Sequence, residues 1–387
     1  MKSISDIIRD VSKCNRCGNC QYYCPSFNVS RRESHVARGK LQLIRKNLEE
    51  GSVYSDTFVK RVEQCLLCGN CSQNCPAGLC TEDIMEDIRE LCVAQAGPSK
   101  AMSMTAANIA EVGNITGDVR ENRLLWMENL APGSVRVGEQ AENLFFAGCV
   151  STLYPSSYAI PQTFSKLMNK AGQDWAVIGR DESCCGYPLI IGGMAESASG
   201  VMEQNIRQVV KSGARRLITT CPSCYHVWKE VYPHVAPDMP DIEVYHAAEF
   251  IEKLVREGAL RFNESSCTVT FHDSCDLGRK GGIYDEPRDI LKAISGVNLV
   301  EMKFHHENAF CCGGGGNLEM NDSALSGDIA KQRVKQAQDA GAEIIVTSCQ
   351  QCKRTLTGGA RQMRARIKVM DISEFVFERV NNNNADS

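Results

Sequence analysis

The sequence lacks most of what would assign it at a glance. No apolar run approaches the roughly 18 residues that a membrane span requires, so the chain does not enter a bilayer by itself and reaches one only by docking on a membrane subunit. The opening Met1-Lys-Ser-Ile-Ser-Asp6 has no signal-peptide character, which makes the cytoplasm the expected compartment. There is no long basic run and the net charge is −4, which argues against nucleic acid as a partner. No nucleotide-binding fingerprint is visible either. The apolar share of 43% and charged share of 23% fit a soluble globular chain. Its length of 387 residues accommodates two or three domains.

Cysteine is the excess, with 21 residues. A disulfide-stapled secreted protein fits poorly, because the chain has no secretion signal and is large enough to bury a core without staples. Thiols at short fixed spacings in a reducing compartment read as metal ligands instead. Cys14-x2-Cys17-x2-Cys20-x3-Cys24-Pro25 is followed by Cys65-x2-Cys68-x2-Cys71-x3-Cys75-Pro76. Each matches the bacterial ferredoxin run, in which one tight loop wraps a [4Fe–4S] cluster and the fourth cysteine ligates the other cluster. That pattern assigns Cys14, Cys17, Cys20 and Cys75 to one cubane cluster, and Cys65, Cys68, Cys71 and Cys24 to the second. A zinc ribbon fits less well, since zinc takes two pairs per site. Helices are expected over 39–51, 56–64 and from Thr81 onward, which makes residues 1–97 an all-α helical ferredoxin unit. Cys80 and Cys92 fall outside the runs and read as small buried hydrophobes.

Ten further cysteines form two matching sets of five. Cys149, Cys184-Cys185, Cys221 and Cys224 answer Cys275, Cys311-Cys312, Cys349 and Cys352. The surrounding residues repeat as well, so a unit of about 127 residues is duplicated. Short apolar strands are expected at Leu144, Ala176, Leu217 and Ile242, and again at Thr268, Asn298, Ile344 and Ile367. Alternation with helices argues for a small α/β sheet in each half, with Cys149, Cys221, Cys275 and Cys349 just past strand ends, where open α/β sheets place their sites. The expected organisation is α+β and multidomain: 1–97, a helical linker 98–143, halves at 144–258 and 259–380, and a disordered tail 381–387. Within the linker, Val119 to Leu130 reads as helical, and Arg120, Arg123 and Trp126 as locally packed or paired, with docking a partner as the alternative. Five thiols exceed what a tetrahedral zinc or a cubane cluster uses. Adjacent cysteines chelate one metal poorly yet suit neighbouring irons of an opened cluster. Gly186 and Gly313–Gly316 would let a cluster or substrate approach the backbone, with a flexible turn as the alternative for the glycine run. His305-His306 reads as a solvated pair, with metal ligation as the alternative. His272 and Asp273 stand close enough to Cys275 to orient protons or to pack, and Arg279 is a candidate for neutralising cluster or substrate charge.

These motifs resemble the CCG domain found in the B and D subunits of heterodisulfide reductase. The fused order, helical ferredoxin unit then two CCG halves, is similar to the D subunit and to the glycolate oxidase iron–sulfur subunit. The complete Cys221-Pro-Ser-Cys224 and Cys349-Gln-Gln-Cys352 favour the reductase-like branch. The resemblance implies a noncubane [4Fe–4S] cluster on all five cysteines of each set, with a structural zinc in one set as the alternative. It further implies membership of a larger anaerobic redox complex that includes a flavoprotein. Two functions follow from it: an electron relay with no substrate of its own, or an enzyme that cleaves a small disulfide between the twin clusters. One departure stands out. The family commonly has histidine after the cysteine of its Asp-x-Cys-His segment, where this chain has Asp276.

Overall fold

The computed structural model describes residues 2–237, 239 and 241–381, so the expected tail lies outside the described residues from 382 onward. The N-terminal part is helical, with its principal helices at Ile4–Ser12, Ala37–Glu50, Asp56–Glu63, Thr81–Ala96 and Lys100–Val112. Their limits follow from local chemistry. Ser55 accepts from the Phe58 N–H at the start of one. Gly51, at φ 60°, ends another in the left-handed conformation. Leu41, Ile44 and Leu48 recur at helical spacing and pack against Ile7, Phe58, Ile84 and Ile88. The two cysteine runs lie between these helices, and each contains one short helical turn, Cys20–Tyr23 and Asn70–Gln73. In the linker, Arg120–Met127 winds as a 3-10 helix. Residues three apart then share a face, and Arg123 and Trp126 are both about 1% exposed.

All eight expected strands form, displaced by no more than one or two residues. In the first half β1 (Asn143–Phe146), β2 (Trp175–Val177), β3 (Arg216–Thr219) and β4 (Glu243–His246) make a parallel sheet of order β2-β1-β3-β4. The second half repeats it with β5 (Cys267–His272), β6 (Val297–Leu299), β7 (Ile344–Thr347) and β8 (Lys368–Asp371) in the order β6-β5-β7-β8. The central strands are apolar on both faces because helices cover both faces, as parallel sheets require. One core joins the halves. Phe145 and Ile218 of the first sheet belong to the same buried cluster as Phe271 and Val346 of the second.

Polar contacts seat the N-terminal unit on both halves. Arg89, from the Thr81–Ala96 helix, is fully buried and donates to the carbonyl oxygens of Ile191 (2.8 Å), Gly316 (3.0 Å), Glu63 (3.1 Å) and Cys65 (2.7 Å). Asn70 donates to the carbonyls of Asn308 and Ala309 at 3.1 and 3.3 Å. The glycine run is explained here. A Cβ on Gly316 would stand 2.3 Å from the Cys65 carbonyl oxygen, and one on Gly315 would stand 2.7 Å from that of Leu66. The chain that approaches this backbone is thus the second cysteine run. Gly316→Ala is expected to lose about 1–3 kcal/mol by overpacking, read as a lower thermal midpoint of the iron-loaded protein.

Candidate metal centres

In the N-terminal unit, Cys14, Cys17, Cys20 and Cys75 line one small void of about 30 Å³. Cys24, Cys65, Cys68 and Cys71 line another of about 30 Å³. Cys71 touches both, so the two voids are neighbours. Burial pushes the Cys24 and Cys68 thiols up to about 12. Four thiols around a void fit an iron–sulfur cluster, whose metal charge would keep buried sulfurs such as those of Cys24 and Cys68 deprotonated.

The five-thiol sets are built alike. Within the first, sulfur contacts run Cys149–Cys184–Cys185–Cys224–Cys221. Within the second they run Cys275–Cys311–Cys312–Cys352–Cys349, the same order. In each, the central thiol is pulled down to about 6 by its flanking thiols: Cys185 by Cys184 and Cys224, Cys312 by Cys311 and Cys352. The outer Cys149 and Cys275 are pushed up, by contact with Cys184 and Cys311 respectively and by burial. An unbroken row of five sulfurs fits an extended donor set better than a tetrahedral one. Strand ends create this row. Cys149 and Cys275 follow β1 and β5, and Cys221 and Cys349 follow β3 and β7. Both rows open on one cavity of about 160 Å³, which is lined by all five thiols of the first set and by Cys275, Cys312, Cys349 and Cys352 of the second.

The two rows differ in what surrounds them. Arg123 is buried and donates to Cys149 Sγ at 3.2 Å, and it also binds Glu182 (3.1 Å) and the Gly113 carbonyl (3.1 Å). Glu182 in turn accepts from the N–H groups of Ala147 and Gly148, which fixes the approach to Cys149. Around the second row stand Arg279, whose charge acts on Cys68, Cys275 and Cys311, and Arg333, beside Cys352 and Cys312. Arg279 also donates to the carbonyls of Cys68 and Ala309. It therefore bridges the second cysteine run and the second row. Gln350, between Cys349 and Cys352, is fully buried and reaches into the first half, donating to the Ala147 carbonyl (2.8 Å) and Thr220 Oγ1 (2.7 Å). Asp276 answers from the other side. It accepts from Ser223 Oγ (2.7 Å) and Tyr187 OH (3.0 Å), and Lys280 Nζ stands 3.6 Å away.

Comparison with known proteins places this architecture. A family model described as a 4Fe-4S dicluster domain matches residues 10–79, and one described as a cysteine-rich domain matches twice, over 143–229 and 269–357. The D subunit of the dihydromethanophenazine:CoB–CoM heterodisulfide reductase of Methanosarcina acetivorans is 29% identical, over 96% of this chain and 94% of its own. A protein of Bacillus subtilis described as "Probable iron-sulfur-binding oxidoreductase FadF" is 32% identical, over 82% of this chain and 46% of its own. The chain belongs to the family that joins a 4Fe-4S dicluster domain to two cysteine-rich domains, as the heterodisulfide reductase D subunits do. It is accordingly an iron–sulfur electron-transfer protein, related to subunits of redox complexes. A hypothetical protein from Helicobacter pylori, of known crystal structure, aligns over 99% of this chain and 78% of its own with a TM-score of 0.60 at 9% identity, which shows the fold alone. No helix among the described residues is long and apolar enough to cross a membrane.

Within this family member several residues stand elsewhere than expected. Cys92 is buried in the N-terminal core, but Cys80 is exposed, because it occupies the surface position just before the Thr81–Ala96 helix. Cys80→Ala is expected to leave iron content unchanged and stability within about 0.5 kcal/mol, checked by metal analysis and thermal unfolding. His305 and His306 are half-buried, with Nδ1 atoms 2.6 Å apart, because Asp273 accepts from the His306 N–H and draws the loop inward. Glu301 lies within ligand distance of both, yet Arg288 occupies its two oxygens at 2.7 and 3.1 Å. Arg123, expected to pack or pair locally or to dock a partner, binds Cys149 of the first row. The sequence carries a signal for it: a charged residue three positions from Trp126 shares that tryptophan's buried face.

Proposed function

We propose that the chain is the iron–sulfur electron-transfer subunit of a larger redox complex, exchanging electrons with a flavin on a partner subunit. In this reading Cys14, Cys17, Cys20 and Cys75 hold one cubane [4Fe–4S] cluster, and Cys65, Cys68, Cys71 and Cys24 hold the other. Cys149, Cys184, Cys185, Cys221 and Cys224 hold one noncubane cluster, and Cys275, Cys311, Cys312, Cys349 and Cys352 the second. The proximity of Cys68 to Cys275 and Cys311 supports the second cubane site as the neighbour of the second five-thiol site. The clusters, when bound, supply one-electron steps.

One observation favours more than a relay. Nine thiols from both rows line a single cavity, so the groups held by the two rows would face one another across one shared space, where a substrate could meet both. A disulfide between the rows would take two electrons and two protons, breaking one S–S bond and leaving as two thiols. The reduced flavin of the partner is the electron source, and solvent reached past Asp276, Tyr187 and Lys280 supplies the protons. Arg354 is the one cation among the described residues lining the cavity, and it is paired with Glu319. The wall therefore suits a small disulfide of low negative charge. The test is anaerobic turnover of purified protein with a reduced viologen dye and 2-hydroxyethyl disulfide. Release of two thiols per two electrons consumed supports cleavage at the cavity. Dye oxidation that occurs only when an electron acceptor subunit is added, with no thiol released, leaves the relay alone.

A further inference from the structure

His272 closes β5 three residues before Cys275 and is fully buried. Arg333 Nε donates to its Nδ1 at 3.0 Å. A guanidinium has no acceptor, so Nδ1 is the unprotonated nitrogen and the ring hydrogen sits on Nε2. That Nε2 has no hydrogen-bond partner among the described residues. A ring nitrogen of His272 and the Sγ atoms of Cys312 and Cys352 lie within 4.8 Å of one another. The arrangement thus commits an arginine to fixing the tautomer and leaves a buried, unpartnered N–H on a ring that stands beside two cysteine sulfurs, which is costly if nothing accepts it. The first half has no counterpart. Phe146, three residues before Cys149, holds the equivalent place and packs edge-on against Trp228.

We infer that His272 is a positioning residue that donates its Nε2–H to sulfur of the second five-thiol site and thereby raises the reduction potential of the group bound there. This rests on the reading that the second set holds an iron–sulfur cluster. Hydrogen bonds to cluster sulfurs stabilise the added negative charge of the reduced form, which moves the potential positive. The second site, neighbour of Cys68, is then tuned to accept the electron that arrives from the N-terminal unit.

The experiment is EPR-monitored redox titration of the iron-loaded full chain. His272→Phe, which installs the first half's residue, is expected to shift the second-site midpoint negative and to remove an exchangeable-proton coupling seen in H2O but not in D2O. Iron content and the other signals stay unchanged. His272→Gln, whose side-chain amide offers an N–H near the Nε2 position, is expected to restore most of the shift. An unchanged midpoint in fully loaded His272→Phe overturns the inference, as does a directly bonded nitrogen coupling in protein carrying 15N-histidine. Where His272→Phe loses iron, the wild-type protein decides: an exchangeable-proton coupling accompanied by a weak coupling to 15N-histidine is expected, and absence of either overturns the inference. Absence of second-site iron in the wild-type protein is a different failure, that of the cluster assignment itself.

Discussion

Cys312→Ala is expected to empty the second five-thiol site, removing about four irons per chain, while the ferredoxin-type signals persist. Cys312 is the middle sulfur of its row, in contact with Cys311 on one side and Cys352 on the other. Its loss splits five donors into two pairs that no longer bracket one group. The N-terminal voids are lined by other cysteines, and their helices pack on their own core, so they survive. Cys185→Ala is expected to do the same to the first site, because Cys185 holds the same place between Cys184 and Cys224. Thiol release from a disulfide should vanish in both variants if the two sites act together. The measurements are iron per chain, EPR and thiol counting. Iron undiminished in Cys312→Ala would contradict the row as a single donor set.

Arg89→Met is expected to cost at least about 3 kcal/mol, since each buried carbonyl left without a donor costs about 1–3 kcal/mol. The guanidinium satisfies carbonyls from three separate stretches: Glu63 and Cys65 at the start of the second cysteine run, Gly316 of the second half, and Ile191 of the first. No carboxylate hydrogen-bonds to it among the described residues, so these carbonyls are its role. Methionine keeps the length and apolar stem but donates nothing. The expected phenotype has two parts. The thermal midpoint of the holoprotein falls, and protease cuts near 97–100 appear as the N-terminal unit loosens from the halves. Electron transfer from the cubane clusters to the five-thiol sites should slow in parallel, because Arg89 fixes Cys65 against Gly316. Normal proteolysis and normal transfer rates in Arg89→Met would refute this docking role.

Much of the architecture is legible in the sequence. Strands such as Leu144-Phe-Phe and Ile344-Ile-Val are short, apolar and β-prone, and each is followed by a cysteine at the same offset, so periodicity and duplication place them together. What is not legible depends on which surface meets which. Gly315 and Gly316 suggest room for a cluster or substrate, yet their missing side chains admit the Leu66 backbone, 249 and 250 residues earlier in the chain. Gln350 looks like a spacer within a C-x2-C motif and instead ties the two halves together through Ala147 and Thr220. Arg123 acts on Cys149 from a 3-10 segment, whose face periodicity differs from that of the α-helix. Asp276 stands out as a departure from the family pattern, but its partners, Ser223 and Tyr187, come from the other half and carry no local signal.

The central claim is that each five-thiol row holds iron. The direct test is iron and zinc per chain, with EPR spectra, on protein purified without oxygen. About 16 irons, little zinc and a distinct oxidised-state signal on addition of thiol are expected for four clusters. About 8 irons with zinc present would confine redox chemistry to Cys14–Cys75 and contradict the account of the twin sites.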